Sequence, residues 1–363
     1  MAVIREHVLA AVVASVLLGC GANASTDDEG SGGSAAGNGT GSTGGSGAGG
    51  GGGSGGGIDF DASGPDGQTT DSGCVASATL SPAGAEAKLS ADYAQHYSAF
   101  LLGPVPGLPT DGHLGGCTIS ASDPDTLLVV GNSESPTGGL WSIGVVRDAC
   151  GHIVAWKGTA QKLADAPYMD ANLPYTDKGV LLYSMWPVNK LGQLLPGATS
   201  PSSETDLSTV GVFDSPGGLA FVPSYLPAAG ELRAVGWPAG SFVHLEYKVQ
   251  SPLLSITSAS QTTTVTEGGG FAYVPPGSPG FSKASLIMAE WGGDAVVTYE
   301  VSDAGDPIPA SRKPFFDAFP KPWGAYFEPV TGDFIFLTWT AVPDQVYIVQ
   351  GFSKPPPPPP PPR

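Results

Sequence analysis

Gly270-Phe-Ala-Tyr-Val-Pro275, then Leu286 to Trp291, then Ala295 to Val301, is the stretch on which the fold turns. Its three runs are short, rich in β-branched and aromatic residues, and bounded by Gly, Pro, Asp and Ser, which favours strands over buried helix. The same order recurs on either side. Gly218-Leu-Ala-Phe-Val-Pro223 leads to Leu232–Trp237 and Phe242–Val249, and Gly324-Ala-Tyr-Phe-Glu-Pro329 leads to Phe334–Trp339 and Val346–Val349. An earlier copy is Val180-Leu-Leu-Tyr-Ser-Met-Trp186, and Leu127-Leu-Val-Val-Gly-Asn132 is a still earlier one with Asn132 in the tryptophan's place.

The equivalent positions 132, 186, 237, 291 and 339 are 54, 51, 54 and 48 residues apart. A period near 50 with three or four strands per copy describes a β-propeller blade. One such sheet cannot bury both faces alone, and packing blades around an axis supplies the missing cover. The expected fold is therefore all-β: a propeller of five blades, or six if residues 82–115 hold a degenerate copy, with nested sandwich domains as the structural alternative. The register tryptophans read as packing residues between blades. The last copy stops after its third strand, so an N-terminal strand near Val75–Leu80 is expected to complete it. Ala85 to Phe100 reads as a weak helix.

Trp323-Gly-Ala-Tyr-Phe-Glu-Pro-Val-Thr-Gly-Asp-Phe-Ile-Phe-Leu-Thr-Trp339, continued by Gln345 to Phe352, resembles the closing blade of exported bacterial propellers of the broad NHL and YVTN type. The resemblance spans about 180 residues as a repeat pattern. Such propellers include binding platforms, lyases, lactonases and sulfotransferases, so the likeness implies a fold and not an activity.

The N-terminus reads as an address. Arg5 precedes an apolar run, Val8–Leu18, that is too short to span a bilayer as a helix. Leu17-Leu-Gly-Cys20 closes it and resembles the lipobox of bacterial lipoproteins, which implies removal of residues 1–19 and lipidation of Cys20. Gly21 in place of Asp then implies outward sorting, to the outer membrane or cell surface rather than the inner membrane. Residues 20–72 read as a disordered tether: between Gly30 and Gly57, 17 of 28 residues are glycine, too little to bury against the entropy of ordering. As a coil it reaches roughly 40 Å. Residues 73–353 form the propeller domain, and 354–363 a polyproline tail of extended backbone. The G-x-G-x-x-G at Gly39–Gly44 and the G-x-S-x-G at Gly52–Gly56 are products of composition, since neither lies between a strand and a helix.

Charge and cysteines narrow the partners. The chain carries a net charge of -18, with 33 acidic against 15 basic residues, which excludes nucleic acid as a partner. The expected partners are the membrane, through the lipid, and an envelope protein or surface polymer. With Cys20 on lipid, Cys74, Cys117 and Cys150 remain; Cys117–Cys150 or Cys74–Cys117 would bridge in an oxidising compartment. No pair has zinc-site spacing.

Chemistry is sparse. None of His96, His113, His152 and His244 has metal-ligand spacing. Asp59-Phe-Asp-Ala-Ser-Gly64 has calcium-loop ligands at positions 1, 3 and 5 and glycine at 6, but Thr70 stands at position 12; calcium is thus the one cofactor weighed against none. Loops entering the first strand of each blade carry Asp170, Asp214, Glu267 and Asp317, a candidate ring of carboxylates at the mouth of the channel. The function expected from these residues is a non-catalytic binding or scaffolding module at the cell envelope. The alternative is a propeller enzyme of lyase, hydrolase or sulfotransferase type with its site at the central channel.

Overall fold

The computed structural model describes residues 80–109, 112–340 and 343–356. They form a five-bladed β-propeller. Blade one is Leu114–Ser120, Asp123–Gly131, Gly139–Arg147 and Ile153–Asp165. Blade two has Leu181–Met185, Lys190–Leu194 and Ser203–Asp206, with residues 169–175 beside them through two isolated bridges, Met169 to Met185 and Tyr175 to Leu181. Blade three is Pro216–Phe221, Leu232–Gly236, Ser241–Gln250 and Leu253–Thr264. Blade four is Gly268–Tyr273, Ser285–Glu290, Ala295–Glu300 and Lys313–Pro314.

Blade five joins the two ends of the domain. Pro322–Phe327, Phe334–Thr338 and Val346–Gln350 are completed by Ser98–Gly103, with Ser81–Pro82 outside it. Ile348 pairs with Phe100 and Val349 with Ala99. An N-terminal strand does close the ring, but it is Ser98–Gly103; most of Val75–Leu80 lies outside the described residues. The helical expectation over Ala85–Phe100 gives way to a 3-10 turn, Ala85–Ala87, and this strand. Tyr93 and Tyr97 pack on Phe281 and Phe315, and that burial overrides the weak helical pattern. The remaining N-terminal strand, Lys88–Leu89, pairs with Phe316–Ala318, so residues 82–115 hold no sixth blade.

Each interface between neighbouring blades has its own apolar cluster. Leu127, Val129 and Ile143 of blade one meet Ile335, Leu337 and Ile348 of blade five. Leu219, Ala234 and Leu245 of blade three meet Leu182 and Leu191 of blade two. Phe242 and Phe271 pack at 5.2 Å between blades three and four. This is the mutual cover that a single blade lacks.

At the axis the inner strands approach backbone to backbone. Gly116, Gly218, Gly270 and Gly324 hold equivalent positions, and a Cβ on any of them would collide with the carbonyl of Ala171, Gly269, Trp323 or Gly115 of the next blade, respectively. Blade two has Asn172 at this position. Its amide donates to the carbonyls of Ala325 (2.8 Å) and Phe271 (3.3 Å) and accepts from the N–H of Phe271 (3.1 Å) and Leu219 (3.2 Å). One buried side chain thus ties blades two to five together and fills the axis.

Candidate active site at the mouth of the propeller

Above Asn172 the mouth is walled by indoles. Trp186, Trp237, Trp291, Trp323 and Trp339 line a cavity of about 100 Å³ together with one carboxyl, that of Glu134. Trp323 stands where the other blades have Gly115, Ala171, Gly217 or Gly269. Side chains are missing at Gly217 and Gly269, and its indole occupies the room they leave. It is only 3% exposed, whereas the four register tryptophans are half-buried.

Neighbouring rings meet nearly at right angles: Trp186–Trp237 at 74°, Trp237–Trp291 at 85°, Trp237–Trp323 at 84° and Trp323–Trp339 at 69°. Edge-to-face contact is the preferred arrangement for such rings, and here it makes walls rather than a closed stack. Two of the indoles also bridge blades, since Trp186 Nε1–H donates to the carbonyl of Trp237 (3.3 Å) and Trp291 Nε1–H to that of Trp339 (3.1 Å). The expectation that the register tryptophans only pack between blades is therefore incomplete: they do bridge blades, and they also form the wall of the mouth. Trp237 Nε1–H, buried in that wall, has no hydrogen-bond partner.

Two acids sit at this wall. Asp170, fully buried on the inner edge of blade two, accepts a hydrogen bond from Trp323 Nε1 through Oδ1, while its Oδ2 has no partner. Burial, and then the charge of Glu134, push its carboxyl well above the usual range. Glu134 follows Asn132 in blade one, with left-handed backbone (φ 57°) and its N–H on the Met169 carbonyl. Burial pushes its carboxyl up to about 8.

Around this pair stand other polar groups. His113 stacks on Trp339 (centroids 4.4 Å, 16°) and pairs through Nδ1 with Asp344 at 3.0 Å. Lys321 Nζ lies 4.5 Å over the Trp291 ring and 3.0 Å from Asp294.

The four carboxylates expected from sequence do not meet as a ring. Asp170 is at the mouth, and the acid that raises it is Glu134. Asp214 accepts from Ser241 N (3.4 Å) and lies against Gly236. Glu267 lies against Gly292. Asp317 pairs with Lys88 at 3.5 Å, where Phe316–Ala318 meets the N-terminal strand. Glu134 had one sequence signal: blade one departs from the tryptophan register at Asn132, two residues before it.

The expected Cys117–Cys150 bridge does not form, nor does Cys74–Cys117. Cys117 is a buried free thiol inside the cluster between blades one and five, and burial raises it far above the ordinary thiol range. Cys150 is disulfide-bonded, to a partner outside the described residues. Cys20 and the calcium-like loop at 59–70 also lie outside them. Among the described residues no three His, Cys, Asp or Glu side chains converge as a metal site.

No protein-family model matches this chain, and no curated protein does. Solved structures do. A PQQ-bound aldose sugar dehydrogenase from Streptomyces coelicolor is 12% identical over 75% of this chain and 96% of its own, with a TM-score of 0.38. A soluble aldose sugar dehydrogenase from Escherichia coli is 14% identical over 68% and 85%, at 0.37. An auxiliary nutrient binding protein from Bacteroides thetaiotaomicron is 9% identical over 70% and 76%, at 0.41. These similarities concern the propeller architecture.

The expectation of a non-catalytic scaffold is corrected here. Structures of similar architecture include proteins described as dehydrogenases, so the architecture does not imply a scaffold. In this chain half-buried Glu134 and buried Asp170 stand at the mouth. The quinone named for the Streptomyces protein does not fit this mouth. A fused-ring quinone carrying three carboxylates would find one carboxyl, that of Glu134, and no cation in the lining of a cavity of about 100 Å³, beside a lysine already paired with Asp294.

Proposed function

We propose that this chain is an exported, lipid-anchored propeller enzyme that works by general acid–base catalysis at its tryptophan-walled mouth. The observation that carries this reading is the Glu134–Asp170 pair: one carboxyl in the cavity wall, and one sealed beside it with an unpartnered oxygen. A general acid is most effective when its pKa lies near the working pH, and burial places Glu134 at about 8. At neutral pH Glu134 is protonated. It can donate that proton to a leaving oxygen as the bond to it breaks. The carboxylate then recovers a proton from water in a hydrolysis, or from the carbon next to the broken bond in an elimination.

Asp170 does not line the cavity and acts as a positioning residue: it accepts the hydrogen bond of Trp323 Nε1–H and so holds that indole in the wall. The lining of the cavity offers no cationic side chain to hold an anionic sulfuryl group, which favours hydrolase or lyase chemistry over sulfotransfer. The lipobox-like Leu17–Cys20 supports the lipid anchor at the cell envelope, and the disulfide at Cys150 supports an oxidising compartment.

The test is a panel of esters, lactones, glycosides and elimination substrates assayed with the purified chain. Glu134→Gln is expected to lower turnover by about 10²–10⁴ and to remove the alkaline limb of kcat/KM near pH 8. A substrate turned over equally by both proteins would contradict the proposal.

A further inference from the structure

We infer, resting on the catalytic reading above, that the group held in the mouth is an organic cation, a methylated ammonium head. The wall supplies five indoles and a single carboxyl. Indole is the best aromatic partner for a cation, and boxes of such rings suit quaternary ammonium groups because these need no hydrogen-bond donors or acceptors. A sugar is the natural rival for an indole wall. Each of its hydroxyls, once buried, requires a partner, and this wall offers only Glu134 and the Trp237 N–H.

Size agrees with this assignment. The cavity is small, about 100 Å³, and its lining is apolar except for one carboxyl, which suits a methylated ammonium head. The protein already uses this mode within its own chain, where Lys321 Nζ lies over Trp291. Asp294 holds that ammonium at the rim, outside the wall. The chain's charge of -18 draws cations towards the mouth over long range.

Binding a cation favours the charged form of the carboxyl beside it, so the head group pulls the Glu134 carboxyl down and part of its proton population leaves on binding. The share that stays protonated is the form able to act as the acid. Affinity should therefore rise as pH passes upward through about 8. The other titratable or charged groups facing this region are Asp170 of blade two, His113 with Asp344, Lys321 with Asp294, Glu267 against Gly292, and Asp214 against Gly236. Glu134→Gln separates the contribution of Glu134 from all of them.

The experiment titrates choline and its uncharged carbon isostere, 3,3-dimethylbutan-1-ol, into the purified full chain, following heat and tryptophan emission from pH 6.5 to 9.5. Choline is expected to bind at least tenfold more tightly than the isostere at pH 9. Its affinity should gain severalfold between pH 7 and 9 with release of a proton, and Glu134→Gln should abolish both the gain and the release. Equal binding of choline and the isostere would overturn the cation assignment; loss of turnover in Glu134→Gln would then still uphold the acid–base reading. Tight choline binding with turnover unaffected by Glu134→Gln would uphold the cation assignment and overturn the acid–base reading.

Discussion

Asp170 and Glu328 are both sealed from solvent, on the inner edge of blade two and at the end of the inner strand of blade five, and they are treated very differently. Glu328 Oε1 receives Arg147 Nη2 at 2.8 Å; Oε2 accepts from the Val330 and Thr331 N–H groups and the Thr331 hydroxyl. Beside it His152 Nδ1 lies 2.9 Å from both oxygens of Asp333. Every charge in that cluster has a partner. Asp170 has one hydrogen bond, one orphan oxygen and a second acid nearby. A buried carboxylate that serves the fold is saturated with donors. One left short of donors, next to a cavity, is a mark of chemistry.

The largest effect should come from breaking the saturated cluster. Glu328→Ala takes the buried carboxylate from Arg147, which keeps Asp125, and orphans three turn donors. It should cost about 3–5 kcal/mol, read as a lower midpoint in urea. Asp170→Asn is the matched experiment, and it should not destabilise comparably. Stability unchanged by Glu328→Ala would erase the distinction between the two acids. Next comes Asn172→Ala at the axis, which orphans four buried backbone groups and should cost on the order of 2–3 kcal/mol. Asn172→Gly should cost no less, because it restores the glycine of the other blades without restoring the bonds. A neutral result for either would remove Asn172 as the tie between blades.

Much of the architecture is legible in the sequence, because the ends of the second strands carry a tryptophan, or Asn132 in blade one, at a period near 50 that suits stacked blades. The closing strand was harder to find. Ser98–Gly103 lies at the end of a stretch with weak helical spacing, and only the free edge of Val346–Gln350 selects a strand there. The site is legible where it follows the repeat, as Asp170 does by preceding an inner strand. It is hidden where the repeat breaks. Glu134 comes after Asn132, and Trp323 stands where the repeat has Gly or Ala, so neither is marked by periodicity. The tryptophans were visible throughout, but their second role as a wall depends on the blades meeting at an axis.

Smaller effects distinguish the two acid clusters by pH. The folded-state carboxyl of Asp170 lies above its unfolded value, so the folded protein binds the extra proton. Stability should therefore fall as pH rises from about 4 through the folded value, and Asp170→Asn should flatten that slope in urea midpoints taken from pH 5 to 9. At the other cluster the hydrogen bond that His152 Nδ1–H donates to Asp333 raises His152. Its stabilisation should be complete below about pH 6.5 and lost as pH rises through the raised value. For a side chain partly open to water this is below about 1 kcal/mol. His152→Gln should remove it; an unchanged pH profile would contradict the assignment.

The central claim is that the mouth holds a carboxyl kept protonated at neutral pH against a wall of indoles. Tryptophan emission from the purified chain, titrated from pH 5.5 to 9.5, tests it directly because five of the seven tryptophans line that cavity. A transition with its midpoint near 8 in the native chain, absent in Glu134→Gln, is the predicted result. A flat titration, or the same transition in both proteins, would contradict it.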